Sequence, residues 1–128
     1  MITLSLYLAT ALLIATKILD GWTTHARLSD IHQELNGPFR WLMKRIGVQA
    51  AIGVNVLLAS AIGLMVLWGA LQASRLEQIA ILAGLLLLSG IQAQVAYHNW
   101  TGYSNGLLRR LAVTYVWLSA QGRRIRFK

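Results

Sequence analysis

The chain contains no cysteine and a single proline, Pro38, in 128 residues. Without cysteine there is no disulfide framework, no thiolate nucleophile and no Cys-ligated metal, and the redox compartment leaves no mark on the sequence. Charge is scarce as well: charged residues make up 12% of the chain while apolar ones make up 56%. The charges lie between and after long apolar runs, a composition that belongs to a membrane-embedded chain. A soluble protein of this length would have too little polar surface. Other signatures are missing too. No basic region precedes the first apolar run, so a cleaved signal peptide is not indicated. No Gly-x-Ser-x-Gly turn is present, and His25, His32 and His98 never form the His-x-x-x-His spacing of helical zinc sites. The residues therefore point to no metal and no cofactor, and nothing in them assembles a catalytic constellation.

What is present is organised as apolar runs. The length suits one domain. Residues 2–19 are apolar apart from Ser5, Thr10, Thr16 and Lys17, just long enough to cross a bilayer, with Lys17 able to snorkel. Asp20, Thr23, Thr24 and Arg27 follow at i, i+3, i+4 and i+7, so a helix extended by two turns carries all four on one face. Asn36, Gly37 and Pro38 then break it, with Pro38 suited to the first turn of the next helix. The sequence FRWLMKRIG reads as an amphipathic lead-in whose Trp41, Arg40, Lys44 and Arg45 suit the headgroup region. A second span is expected over 46–71, which is free of charge, and a third over 78–97. Ser74 to Glu77 reads as a polar hinge between them. The helix-packing candidates are small pairs at i, i+4: Gly47 and Ala51, Ala59 and Gly63, Ala80 and Gly84.

The stretch 107–120 would span only about 21 Å as a helix, short of a hydrocarbon core of roughly 30 Å. It is expected as an interfacial helix after three membrane spans, with a four-helix membrane bundle as the alternative. The expected architecture is all-α: one transmembrane domain over 1–122 and a basic tail over 123–128. A formal charge of +8 invites a nucleic-acid reading, but its placement answers to membrane topology instead. With three crossings both basic regions fall on one side, so the positive-inside rule places the N-terminus outside and the C-terminus in the cytoplasm of a bacterial inner membrane. Arg123, Arg124, Arg126 and Lys128 are expected to contact anionic lipid headgroups.

The densest polar cluster, Asp20, Thr23, Thr24, His25, Glu34 and Asn36, joined by His98 and Asn99 at the end of the third span, is the candidate site. Ionisable groups near membrane depth are costly and mark function or pairing. The pattern Asp20-x-x-Thr23-Thr24, then Glu34-x-Asn36 with Pro38 close by, resembles the DUF5658-like family of small bacterial and archaeal membrane proteins, with a weaker likeness at Tyr97 to Asn99. Here Gly37 stands between Asn36 and Pro38. The resemblance implies a compact three- or four-helix membrane fold and no activity. Size and topology are also similar to three-span phage holins. Gln49, Asn55, Gln92 and Gln94 are more amides than a thin bundle accommodates, which favours a homo-oligomer or a larger membrane complex. Three functions are therefore expected in this order: an accessory or scaffolding membrane subunit, a holin-like pore former, and a small transporter or enzyme using Asp20 and Glu34.

Overall fold

The computed structural model describes residues 1–28, 30, 31, 34, 37–102, 106, 110, 113 and 114. The described residues form four helices: α1 (Ile2–Arg27), α2 (Gly37–Ile46), α3 (Val48–Ala70) and α4 (Arg75–Thr101). Asn36, His32, the tail 123–128 and most of 107–120 lie outside the described residues, and so does any choice between an interfacial and a fourth spanning helix.

α1 absorbs its polar residues by local bonding. The hydroxyls of Thr10, Thr16 and Thr23 each donate to the carbonyl four residues earlier, Leu6, Leu12 and Leu19, at 2.9 Å, which satisfies a buried hydroxyl without a partner helix. The helix continues two turns past its apolar run, as the Asp20 to Arg27 spacing predicts, and ends where Leu28 becomes extended.

Two boundaries differ from the sequence expectation, each for a local reason. Gly47 does not begin the second span. Its φ of +87° and ψ of 159° form a sharp joint between α2 and α3 that a residue with a Cβ adopts only under strain. Gly47 is exposed, and a Cβ there would have no neighbour within 4 Å, so only Ala51 of that small pair reaches the interior. Ser74 to Glu77 does not hinge either. Ser74 is the N-cap of α4: its N–H donates to Glu77 Oε2 at 2.7 Å, and Glu77 N–H donates to Ser74 Oγ at 3.4 Å. This capping box starts the helix three residues before the expected span. At the far end Gly102, at φ +73°, closes α4 with its N–H donating to His98 O at 2.8 Å.

α1 is the central helix. It packs along both α3 and α4, whereas those two helices touch each other little beyond their connecting turn, where Gln78 Nε2 donates to Ala70 O at 3.0 Å. Contacts between α1 and α4 link residues 76, 79 and 75 apart. A nearly constant separation means that the two helices run parallel. Gly21 faces Ile52 and Val56, and Gly63 faces Leu13 and Thr10, so α3 is antiparallel to α1. The apolar core, Leu6, Ala9, Leu67, Ala70 and Leu85, sits at the end where α1 begins and α3 turns into α4. Polar residues collect at the other end.

α1, α3 and α4 are long and apolar enough to span a membrane, and only 22%, 17% and 17% of their most apolar stretches are buried inside the bundle. Leu57, Met65, Trp68 and Leu87 are all exposed. Surfaces this apolar are stable against lipid or another protein and unstable against water. Tyr7 and Trp68 are exposed toward one end, and Trp22, Trp41, Tyr97 and Trp100 toward the other. Tyr7 and Trp22 are separated by about 22 Å of helix, a spacing that suits aromatic belts at two interfaces.

Candidate polar site between α1 and α4

The parallel pairing of α1 with α4 lines up one stripe of residues on each helix. Thr16, Asp20 and Thr24 recur every four residues on α1, and Gln92, Ala96 and Asn99 recur at i, i+4 and i+7 on α4. Their polar members meet. Thr16 Oγ1 lies 2.9 Å from Gln92 Oε1. Thr16 carries one proton and has three acceptors within reach, Leu12 O, Leu13 O and Gln92 Oε1, so that proton is shared between the helix backbone and the neighbouring helix. About two turns further on, Asn99 Nδ2 donates to Thr24 Oγ1 at 3.0 Å and, more weakly, to Asp20 Oδ1 at 3.4 Å.

Asp20 is committed twice. Its Oδ2 pairs with Lys17 Nζ at 3.0 Å, and the side chains of this pair are only 16% and 15% exposed, respectively. A shielded ion pair one turn apart on the same helix is neutral as a unit, and reduced solvent strengthens its attraction. The pairing through Oδ2 and the long contact to Oδ1 leave the carboxylate with acceptor capacity on Oδ1. Thr23 is buried and back-bonded to Leu19 O, with Asp20 O 3.1 Å away. Its hydroxyl thus belongs to its own helix.

The remaining candidates go elsewhere. His25 lies on the α3 side, its Nε2 3.4 Å from Gln49 Nε2 at an exposed position. The amide can donate only if that ring nitrogen is bare. His98 follows Ala96 by two positions, which puts it on the far side of α4 from the ladder. Its Nδ1 is buried and has no hydrogen-bond partner among the described residues. Glu34 sits in the connector between α1 and α2, where its N–H donates to Ile31 O at 3.2 Å. Among the described residues no group of three His, Asp or Glu side chains is placed to hold a metal ion. Asn36 and the tail residues Arg123, Arg124, Arg126 and Lys128 are outside the described residues.

Of the helix-packing candidates, Ala51 and Gly63 are buried. A Cβ on Gly63 would meet Leu13 at an ordinary 3.6 Å. Ala59 is half-buried and Ala80 exposed, and Gly84 has nothing within 4 Å of its Cβ position. The closest approach falls on a glycine outside those pairs: a Cβ on Gly21 would lie 2.9 Å from Ile52 Cγ2 and 3.2 Å from Val56 Cγ2. Trp22 and Trp100 stack across α1 and α4 with centroids 5.2 Å apart and planes at 21°, closing the outer edge of the polar end. Pairing of Asp20 with Lys17 or Arg27 is one reading the sequence offers, and Lys17 is the partner; sequence reasoning passed over Thr16 and Gly21 as site residues, although the four-residue spacing from Thr16 to Thr24 was there to be read.

The ladder makes a quantitative expectation. In a double-mutant cycle of Thr16→Val and Gln92→Leu, the two side chains should couple by about 0.6 kcal/mol, the usual worth of an interhelical hydrogen bond in a membrane protein. Unfolding in mixed micelles measures it. A coupling of zero would mean that the two side chains do not meet.

The fold and the site together define a small all-helical protein with three helices long and apolar enough to span a membrane, in which Thr16, Asp20, Thr24, Gln92 and Asn99 join α1 to α4. No protein-family model matches the chain, and no curated protein or solved structure matches it either.

Proposed function

We propose that this chain acts by association in the membrane, as an accessory or scaffolding subunit that self-associates or packs against a larger complex. The observation that carries the reading is the division of labour between its surfaces. Asp20, Thr24, Asn99, Thr16 and Gln92 are taken up inside the bundle, whereas two long helix faces are left outside. On α3, Ala50, Gly53, Leu57, Ala61, Leu64 and Trp68 are all exposed at helical spacing, and on α4 so are Ala83, Leu87, Gly90, Gln94 and Tyr97. Cβ positions at Gly53 and Gly90 meet nothing within 4 Å. Small residues on outward faces permit the close helix approach on which membrane association depends.

The rival functions find less support in the same geometry. Of the four amides that a holin-like lesion would use, Gln92 is held by Thr16 and Gln49 lies beside His25. A transporter or enzyme using Asp20 and Glu34 would draw on one carboxylate already ion-paired to Lys17 and another in the connector between α1 and α2. The orientation we favour, N-terminus outside a bacterial inner membrane, follows from the crowding of Arg27, Arg40, Lys44 and Arg45 at the polar end, against Arg75 balanced by Glu77 at the other. Light scattering on detergent-purified protein tests the central reading. A protein mass of two or more chains, or co-purification of a stoichiometric membrane partner, is expected. A strict monomer that crosslinks to nothing in native membranes overturns it.

A further inference from the structure

The helix α2 has two unlike faces. Phe39, Leu42, Met43 and Ile46 fall on one side of its wheel, and Arg40, Trp41, Lys44 and Arg45 on the other, by the 3.6-residue repeat. Met43 is almost fully buried, and α2 packs against α3, so the apolar side is turned to the bundle and the basic side away from it. Lys44 and Arg45 are exposed and Arg40 half-buried. Among the described residues no carboxylate pairs with these three cations; the ion pair that does form is Lys17–Asp20. The Arg45 guanidinium instead lies 5.2 Å over the ring of Trp41, which is itself exposed, an arrangement that orients the cation but leaves its N–H edges free to donate.

The depth of α2 is set by its neighbours. Gly47 breaks the chain immediately before the charge-free α3, so α2 ends where the chain enters the apolar layer. Gln49 is level with His25, and Ile52 and Val56 with Gly21, which places α2 at the same end as the stacked Trp22 and Trp100. A short amphipathic helix at that level, with an exposed tryptophan and three cations that pair with no carboxylate among the described residues, faces the lipid headgroups.

We propose that α2 is a binding surface for anionic phospholipid, with the phosphodiester oxygens accepting from Arg40, Lys44 and Arg45 while Trp41 lies among the glycerol backbones. The proposal rests on residues of α2 and is independent of whether the chain associates. Anionic lipid held there braces α2 in the interfacial plane and, through Met43 and the Gly47 joint, the entry of α3.

The test is native mass spectrometry of the full-length protein released from micelles containing phosphatidylglycerol or phosphatidylcholine. Phosphatidylglycerol should bind in preference to phosphatidylcholine. The triple variant Arg40→Gln/Lys44→Gln/Arg45→Gln should lose about a hundredfold in phosphatidylglycerol affinity, the change corresponding to ~1 kcal/mol for each of three cations. A full-length variant with Arg123, Arg124, Arg126 and Lys128 all changed to Gln should keep most of it. Should the triple variant not fold, Lys44→Gln/Arg45→Gln, both exposed, should still lose about thirtyfold. Unchanged affinity in the α2 variants, or loss confined to the tail variant, overturns the assignment. Displacement of phosphatidylglycerol by millimolar inorganic phosphate also overturns it, because the surface would then be a phosphate site and not a lipid one.

Discussion

Gly21→Leu is expected to destabilise the bundle by about 3 kcal/mol, the upper end of what overpacking costs. The reason is a single close approach. At Gly21 the backbone of α1 comes so near α3 that even a Cβ would lie 2.9 Å from Ile52 Cγ2 and 3.2 Å from Val56 Cγ2. Ile52 and Val56 are β-branched and hold one rotamer in a helix, so neither methyl can swing away and the helices must part instead. Parting them at Gly21 also loosens Asp20 and Thr24, which flank it and hold Asn99. Two controls isolate the effect. Gly63→Ala should be tolerated, since its Cβ finds Leu13 at an ordinary 3.6 Å, and Gly69→Ala should be neutral because its Cβ has nothing within 4 Å. Unfolding in dodecyl maltoside titrated with dodecyl sulfate, followed by far-ultraviolet circular dichroism, measures all three. Equal stability of Gly21→Leu and Gly69→Ala would show that α1 and α3 do not meet at Gly21.

The second large effect lies in the ion pair. Lys17→Met leaves the Asp20 carboxylate shielded from water with only the long 3.4 Å contact from Asn99, and should cost about 2 kcal/mol, the penalty for stranding a desolvated polar group. Asp20→Leu should cost less. The freed lysine has a four-carbon stem and can carry its ammonium to the headgroups, an escape that the short aspartate lacks. The double variant Lys17→Met/Asp20→Leu should recover most of the loss, because replacing both members of a shielded pair by apolar residues is often close to neutral. The same unfolding titration reads these variants. Additive losses in the double variant would mean that Lys17 and Asp20 do not act as a pair, and that Asp20 has another partner or task.

The sequence carries much of this architecture openly. Three charge-poor runs announce three spans, the spacing from Asp20 to Arg27 announces the overhang of α1, and Gly102 announces the end of α4. What stayed hidden has physical causes. Lys44 and Arg45 mark the end of the amphipathic lead-in, but only the backbone conformation of Gly47 shows that the joint is sharp and that Ile46 belongs to α2. Which small residues make contact is a property of how helices are rotated against one another. Gly21 and Gly84 look alike in sequence, and one of them faces α3 while the other has open space around its Cβ position. The polar site was half legible. Asp20, Thr24 and Asn99 were expected together and are together, but pairing α1 with α4 in parallel register also brings in Thr16 and Gln92 and turns His98 away. Parallel register depends on the order of helices in the bundle, which apolar periodicity does not encode.

Association through the outward faces of α3 and α4 is tested most directly by disulfide and thiol crosslinking in native membranes, where the absence of native cysteine gives a clean background. Gly53→Cys and Gly90→Cys place single thiols on the two outward faces, and Ser89→Cys places one at a buried position on α4. At least one outward thiol should give a discrete covalent species, either a dimer of this chain or a defined adduct with another membrane protein, while the buried thiol gives none. Monomer alone from both outward positions, in protein that is inserted and folded, would contradict a function by association.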